Sequence, residues 1–335
     1  MTKRILITGA TGFVGSHILE NLLKEPVEII VACRNPEKLL HGYSGTIKKG
    51  DLRDTHYVTE IVKNVDIICH AAAWTSLWSH KQQSHENFLT PTLNLIHSAK
   101  LAGATRFIFP STTSASAPTN SENPMSQGIP RQFWPHLCNV IHIENELRKQ
   151  ASEDFTSVIL RLGIFVGRRY NLGILPALLP RLGTHLVPWL DNGQTHLPLI
   201  DGIDIGKAFR KTLESEQLNN FECLNIVGNE QPTIRQFLNF IHTNYGYPLP
   251  HFSVSFSTAY TFASLMEKLS IFTPWEPLVT RSLIHLMEDT HANNQIAKDK
   301  IGFQPTVHWK DSISAQMEEF KASDRKIKLA AEDNL

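Results

Sequence analysis

ILITGATGFVGSHILENLL, residues 5–23, decides how the rest of the chain is read. Its opening is apolar and β-rich, its middle places Gly9, Gly12 and Gly15 three apart, and from Val14 onward apolar residues recur every three to four positions. That order is strand, turn, helix. Gly9 allows the tight turn, Gly12 lets the backbone come close to a pyrophosphate, and Gly15 lets the helix lie close on the strand. The helix start then offers free N–H groups and a partial positive charge to an anion. The phosphate site expected here comprises Gly9, Thr11, Gly12, Phe13, Val14 and Gly15.

Outward from this turn, strand-like runs at residues 4–8, 28–33, 46–48, 65–69, 106–110 and 157–162 alternate with helical patterns, clearest at 14–23, 90–102 and 136–150. Alternation of this kind predicts an α/β fold: a Rossmann-type, doubly wound parallel sheet with helices on both faces. After about residue 168 the pattern breaks into proline-punctuated apolar stretches such as LGILPALLPRLGTHLVPWL (172–190), which predict a smaller C-terminal substrate lobe. Residues 1–168, with parts of 195–230, are assigned to dinucleotide binding, and 169–320 mainly to the lobe. Residues 257–290 read as two helices broken near Pro274 and Pro277. From Phe320 a helix end and a frayed tail (321–335) are expected.

Composition narrows the class. Lys plus Arg and Asp plus Glu stand at 32 each, so no global field favours nucleic acid, and no run reaches the length of a membrane span. The four cysteines, Cys33, Cys69, Cys138 and Cys223, are widely spaced and suit a reducing, cytoplasmic setting. The basic, then apolar start is cut short by Thr8 and Gly9 and reads as a strand, not as a signal peptide. Sixteen histidines raise the question of a metal, but no HExxH occurs and no histidine pair has a convincing third ligand, so none is expected.

The end of the second strand selects the nucleotide. An acidic residue there would hold the adenosine ribose of NAD, yet the chain has Cys33, then Arg34, and Lys38 four residues on, a pair suited to the 2′-phosphate of NADP. NADP(H) is therefore expected over NAD(H). In GDLRD, Asp51, with Leu52 beside it, is placed near the adenine amine, and Asp54 reads as a helix cap.

TGATGFVG, the Arg34 turn, GDLRD (50–54), HAAAW (70–74), RFIFPST (106–112) and LRLGIFVGRR (160–169) together resemble the extended short-chain dehydrogenases/reductases of the NAD-dependent epimerase/dehydratase superfamily. LPLIDGIDIGKAF (197–209), LNIVGNEQPTIRQF (224–237) and NNQIAKDKIGFQP (293–305) carry the likeness through the second half. The aromatic-rich stretch 257–290 is most similar to the 3-beta-hydroxysteroid dehydrogenase and dihydroflavonol reductase branch. The resemblance implies that Ala71, Ala72 and Ala73 line the cofactor, that Thr112 is the hydroxyl member of the catalytic set, and that Trp74, Ser114 and Tyr170 border the substrate pocket. It also implies a homodimer through the helices at 90–102 and 136–150.

One motif departs from this family. Its run of proline, Tyr, three residues, Lys, three residues, Glu falls on Pro135, His136, Val140 and Glu144, so both the tyrosine and the lysine are missing. No tyrosine in the chain has a lysine four residues later, and Lys149 lies more than two turns beyond Val140. Valine can neither tune a phenol nor clamp a ribose. Histidine can donate a proton, since its ordinary pKa is near 6.5, although a helix start depresses it.

Three functional readings follow. In the first, a divergent NADP-dependent oxidoreductase acts on a carbonyl or hydroxyl of a hydrophobic small molecule, with Thr112 orienting it and His136 or a water supplying the proton. In the second, the chain binds NADP(H) without turnover, as a sensor or scaffold. In the third, the pocket serves a non-redox reaction.

Overall fold

A computed structural model describes residues 2–273 and 275–332 of the chain. The first half runs β1 (Arg4–Thr8), α1 (Phe13–Leu22), β2 (Glu28–Cys33), β3 (Thr46–Lys49), α2 (Thr55–Ile61), β4 (Ile67–His70), α3 (Lys81–Ser84), α4 (Thr90–Leu101), β5 (Arg106–Thr112), α5 (Pro135–Gln150) and β6 (Thr156–Leu162). The second half runs β7 (Ile164–Val166), α6 (Ile174–Leu182), β8 (Trp189–Leu190), β9 (Leu199–Asp201), α7 (Gly202–Glu214) and β10 (Phe221–Ile226). It continues with α8 (Ile234–Tyr245), β11 (Ser253–Val254), α9 (Phe256–Ser270), α10 (Arg281–Leu286), α11 (Gln295–Ile301) and α12 (Trp309–Glu332).

Seven strands form one parallel sheet in the order β10-β6-β5-β4-β1-β2-β3. The order reverses between β1 and β4, and a sheet wound both ways from one point opens a crevice at the carboxyl ends of those strands. The strands are apolar on both faces because helices cover both. In β1, Ile5 and Ile7 join Ile18 and Leu19 of α1, Ile205 and Phe209 of α7 and Ala297 of α11 on one side. Leu6 points the other way, to Val58 of α2, Leu95 of α4 and Ile143 of α5. A separate core, with Leu175, Leu179, Trp189, Phe237, Ile241, Trp309 and Ile313, holds the second lobe together.

The close approach of α7 to α1 depends on two glycines. A Cβ on Gly202 would lie 2.2 Å from His17 Nε2, and one on Gly206 2.3 Å from Asn21 Nδ2. Asp201 caps α7 by accepting the Ile203 N–H at 2.7 Å.

The expected fold class is the observed one, with local differences. β4 begins at Ile67, not at residue 65. β5 runs on to Thr112; its pairing with β4 stops at Ile108, so Pro110 lies beyond that ladder, where a missing N–H costs nothing on the β4 side. β10 extends the sheet, while Ala297, Ile301 and Phe303, sequence-assigned to the lobe, pack into the sheet's own core. α9 and α10 flank the expected break, of which Pro274 lies outside the described residues. The helix end and tail expected from Phe320 are instead a continuation of α12 to Glu332. The Ala-, Lys- and Glu-rich composition favours helix there; residues 333–335 lie outside the described residues. The four cysteines are free thiols. Among the described residues no helix is long and apolar enough to cross a membrane.

Candidate functional site

The glycine turn sits at the carboxyl end of β1, at the switch point. Gly9 has φ +71°, and a Cβ there would come within 2.5 Å of the Ala71 carbonyl carbon and the Ala72 nitrogen. A Cβ on Gly15 would lie 2.2 Å from the Gly9 carbonyl oxygen, whereas one on Gly12 would meet only that oxygen, at 3.4 Å. Gly9 and Gly15 are thus required by the protein's own packing, and Gly12 keeps its outer side open. Gly12 is the N-cap of α1 and supplies no side-chain acceptor. The helical ladder begins with Ser16 N–H to the Gly12 carbonyl at 2.9 Å, so the N–H groups of Phe13, Val14 and Gly15 precede it. These residues fit the pyrophosphate of a dinucleotide.

Behind the turn lies a network that the sequence reading missed. His70, at the end of β4, bonds Thr8 Oγ1 through Nδ1 at 2.7 Å and Thr92 Oγ1 of α4 through Nε2 at 2.9 Å. Thr8 Oγ1 also accepts the Ala72 N–H at 3.3 Å, and the Thr8 carbonyl accepts the Ala71 N–H at 3.1 Å. Burial pulls the His70 pKa down to about 3, so the ring is neutral and acts as a two-sided linker. It fixes the Ala71–Ala72–Ala73 segment against the glycine turn. His70 is the first residue of HAAAW, and nothing in the sequence pointed to these partners.

At the end of β2, Cys33 is buried and Arg34 exposed. Among the described residues no hydrogen bond or ion pair occupies the Arg34 guanidinium. Lys38 closes a short 3-10 turn, Pro36–Lys38, and is exposed as well. Asp51 is engaged: it accepts the Arg53 N–H at 2.9 Å and the Arg53 guanidinium at 2.7 and 3.1 Å, which holds its carboxyl below the usual range. A contact from Asp51 to adenine would compete with Arg53. Leu52 is partly buried against the second core. Asp54 caps α2 as expected, accepting from His56 and Tyr57.

Thr112 ends β5, and its hydroxyl oxygen accepts the Ser114 N–H at 3.2 Å. Next to it a buried ion pair anchors α5 to the sheet. Glu144 receives Ser111 Oγ–H at 2.5 Å and the Arg161 guanidinium at 2.7 and 3.0 Å, and Arg161 also reaches Ser116 Oγ and the Ser126 carbonyl. His136 lies in the first turn of α5 with its ring 5.0 Å from that of Phe88. Its Nδ1 is sealed from solvent with no partner, and burial lowers its pKa to about 4. At neutral pH it is not a charged acid. Val140 is buried in the second core among apolar neighbours. The place where the resembling family keeps a lysine is therefore a packing position here.

Among the described residues no hydrogen bond or ring contact joins Tyr170 to Thr112 or His136. Its ring lies tilted against Phe13 at 4.6 Å and meets Phe165 edge-on at 5.6 Å, so these three aromatics wall the start of α1, and burial pushes its phenol up to about 12. Trp74 packs against the second core, and Trp134 donates its Nε1–H to the Ser76 carbonyl at 2.8 Å. From the second lobe, α10 brings His285 to the same edge. Its Nε2 lies 3.2 Å from the Ser114 carbonyl, its Nδ1 2.6 Å from Glu288, and its ring stands edge-on to Trp134. Nothing in the sequence pointed to that contact. A cleft of about 770 Å³, lined by Lys3, Asp66, Lys100, Arg106 and Phe155 among others, lies at the amino ends of the strands, away from the switch point. No group of three or more metal-binding side chains gathers among the described residues.

Residues 5–226 match the model of the NAD dependent epimerase/dehydratase family, and the chain belongs to that family. Several relatives span nearly the whole chain. The sterol-4-alpha-carboxylate 3-dehydrogenase (decarboxylating) of Dictyostelium discoideum is 20% identical, over 93% of this chain and 99% of its own. The 2-alkyl-3-oxoalkanoate reductase of Stenotrophomonas maltophilia is 25% identical, over 96% and 99%. The UDP-glucuronic acid 4-epimerase of Bacillus cereus, solved with UDP-glucuronic acid and NAD, shares the fold at a TM-score of 0.72 with 20% identity, over 95% of this chain and 99% of that one.

Proposed function

We propose that the chain binds NADP(H) in preference to NAD(H) and is an oxidoreductase acting on a carbonyl or hydroxyl of a hydrophobic small molecule. The observation that carries the cofactor half is the end of β2, where Cys33 stands in place of an acidic residue and Arg34 and Lys38 are exposed, with no side-chain hydrogen bond or ion pair on either among the described residues. A guanidinium can grip a phosphate through two parallel N–H donors. The substrate half rests on Thr112 at the carboxyl end of β5 and on two relatives matched over nearly their full length, whose names describe a sterol and an alkyl oxoalkanoate. The bound nucleotide supplies or takes up hydride. The chain's own part is to hold the pyrophosphate on the α1 start and to orient the substrate oxygen with the Thr112 hydroxyl. Because His136 is neutral, it acts as a hydrogen-bonding imidazole, and water delivers the proton.

A second reading, nucleotide binding without turnover, is favoured by one observation: Val140 is a core residue and His136 is uncharged, so neither replaces the lost pair in kind. Nicotinamide fluorescence titrations with NADPH and NADH, followed by NADPH oxidation over a panel of long-chain and polycyclic ketones, separate the two. Under the first reading Thr112→Ala lowers kcat about ten-fold or more. Binding with no oxidation across the panel gives the second. Arg34→Asp should weaken NADPH by about ten- to a hundred-fold, the worth of a charge-assisted hydrogen bond, and leave NADH nearly unchanged; equal weakening would refute the 2′-phosphate role.

A further inference from the structure

Two histidines near the proposed site have no charged partner. His70 bonds only the Thr8 and Thr92 hydroxyls, and His136 Nδ1 has no partner among the described residues. His285, which α10 brings in from the second lobe, differs in its neighbours. Its Nε2 is hydrogen-bonded to the Ser114 carbonyl at 3.2 Å, and a carbonyl has no proton of its own, so Nε2 carries one. Its Nδ1 lies 2.6 Å from Glu288 Oε2. Two bare lone pairs at that distance would repel, so a second proton lies between ring and carboxyl. Imidazole is the stronger base of the two, which places that proton on the ring. The pair therefore holds one proton more than a neutral imidazole beside a carboxylate.

Its position ties this proton to the proposed chemistry. Ser114 is bonded on both sides, its carbonyl to His285 and its N–H to the Thr112 hydroxyl at 3.2 Å. One residue thus separates the ring from the group that orients the substrate oxygen. The ring stands edge-on to Phe133 and Trp134, and Leu286 beside it packs on Ala115, Trp134, Leu137 and Ile141. The other charges of this seam, Arg281 of α10 and Glu267 of α9, pair with each other at 2.6 Å. The His285 side chain is 6% exposed and that of Glu288 28%, so the ring lies inside while the carboxylate reaches solvent.

We infer that His285, paired with Glu288, is the source of the proton that water delivers to the substrate oxygen, in place of the absent tyrosine and lysine. This rests on the oxidoreductase reading. In the reduction the substrate carbon gains hydride from the reduced nicotinamide, and the C=O π pair moves onto oxygen. That oxygen takes a proton from the water, and the water takes the Nε2 proton. The Ser114 bond is at the long end of the usual range, so Nε2–H is open to sharing with a water. The ring is left neutral with its remaining N–H toward Glu288, and solvent returns the proton past that carboxylate. Ketone, reduced nicotinamide and one proton become alcohol and oxidised nicotinamide.

Nitrogen NMR of the full chain with isotope-labelled histidine tests the proton without turnover. At pH 7 His285, assigned by its loss in His285→Gln, should have both ring nitrogens protonated, and Glu288→Gln should return a neutral ring. With a ketone that the wild type reduces, His285→Gln should lower kcat about a hundred-fold or more, with NADPH affinity and melting temperature near wild type. Its amide still meets the Ser114 carbonyl, so the contact survives and the proton does not. Added imidazole should restore part of the rate of His285→Ala, to which a purely structural role would not respond. A neutral His285 in an active wild type overturns the inference alone, as does an unchanged kcat in His285→Gln. A loss that imidazole leaves unrestored overturns it too and makes the contact a structural tie between the lobes. A wild type that binds NADPH and reduces no ketone overturns the functional reading, and this inference with it, whatever the NMR shows.

Discussion

Arg161 brings a charge into the interior of the sheet, and its partners show why the chain tolerates it. The residue is 1% exposed and Glu144 4%, and four of the five guanidinium N–H donors end on Glu144, Ser116 or the Ser126 carbonyl. The pair is worth little as a net gain, because desolvating two charges offsets most of their attraction. Breaking it is another matter. Glu144→Ala leaves the guanidinium uncompensated and should cost about 3–5 kcal/mol in urea unfolding, while Glu144→Leu with Arg161→Met should recover most of that loss. A single-variant cost below about 1 kcal/mol would mean that water reaches Arg161. The same residues fix where α5 lies, and so where His136 and Val140 sit relative to Thr112.

At the scale of elements, the β1–α1 unit carries the proposed nucleotide site, and its glycines should separate folding from binding. Alanine is ordinarily better than glycine in a helix. At Gly15, however, its methyl would lie 2.2 Å from the Gly9 carbonyl oxygen, so α1 must move off the turn. Gly15→Ala should therefore lower the melting temperature and weaken NADPH binding together. Gly12→Ala should leave the melting temperature within a degree or two of wild type, since its methyl meets only one oxygen at 3.4 Å, yet weaken NADPH about ten-fold or more by filling the approach to the pyrophosphate. Thermal melts and fluorescence titrations of the two variants make the comparison. Equal effects on both quantities in both variants would contradict the division of roles.

Across the whole molecule, three histidines with desolvated rings, His17 and His70 buried and His136 partly so, make stability depend on pH. Burial lowers His17 and His136 to about 4 and His70 to about 3, with the Arg169 charge adding to the effect at His17. Unfolded histidine titrates near 6.5, so between that value and pH 4 the unfolded chain binds more protons than the native one. The stabilisation is present above pH 6.5 and is lost as pH falls through the native values. Each histidine should contribute a slope approaching 1.4 kcal/mol per pH unit below about pH 5.5. Urea unfolding at pH 7, 6 and 5 measures the total, and His136→Phe should reduce the slope by close to one proton. A flat profile over that range would show that these rings take up protons without unfolding.

The sequence by itself determined the alternation of strands and helices, the parallel sheet, the phosphate turn and the loss of the tyrosine and lysine. All of these rest on short-range signals: periodicity, glycine at fixed spacing, and a motif within one helix. Only the tertiary structure decided which of the named residues are free to act. Arg34 and Asp51 look equally available as letters, yet Arg53 occupies Asp51, and nothing described occupies Arg34. His136 reads as a proton donor until burial against Phe88 makes it neutral. His70 and His285 gave no usable signal, because their partners Thr8 and Ser114 stand 62 and 171 residues away along the chain. Desolvation and pairing depend on neighbours that the fold assembles, and a residue's pKa and freedom follow from them.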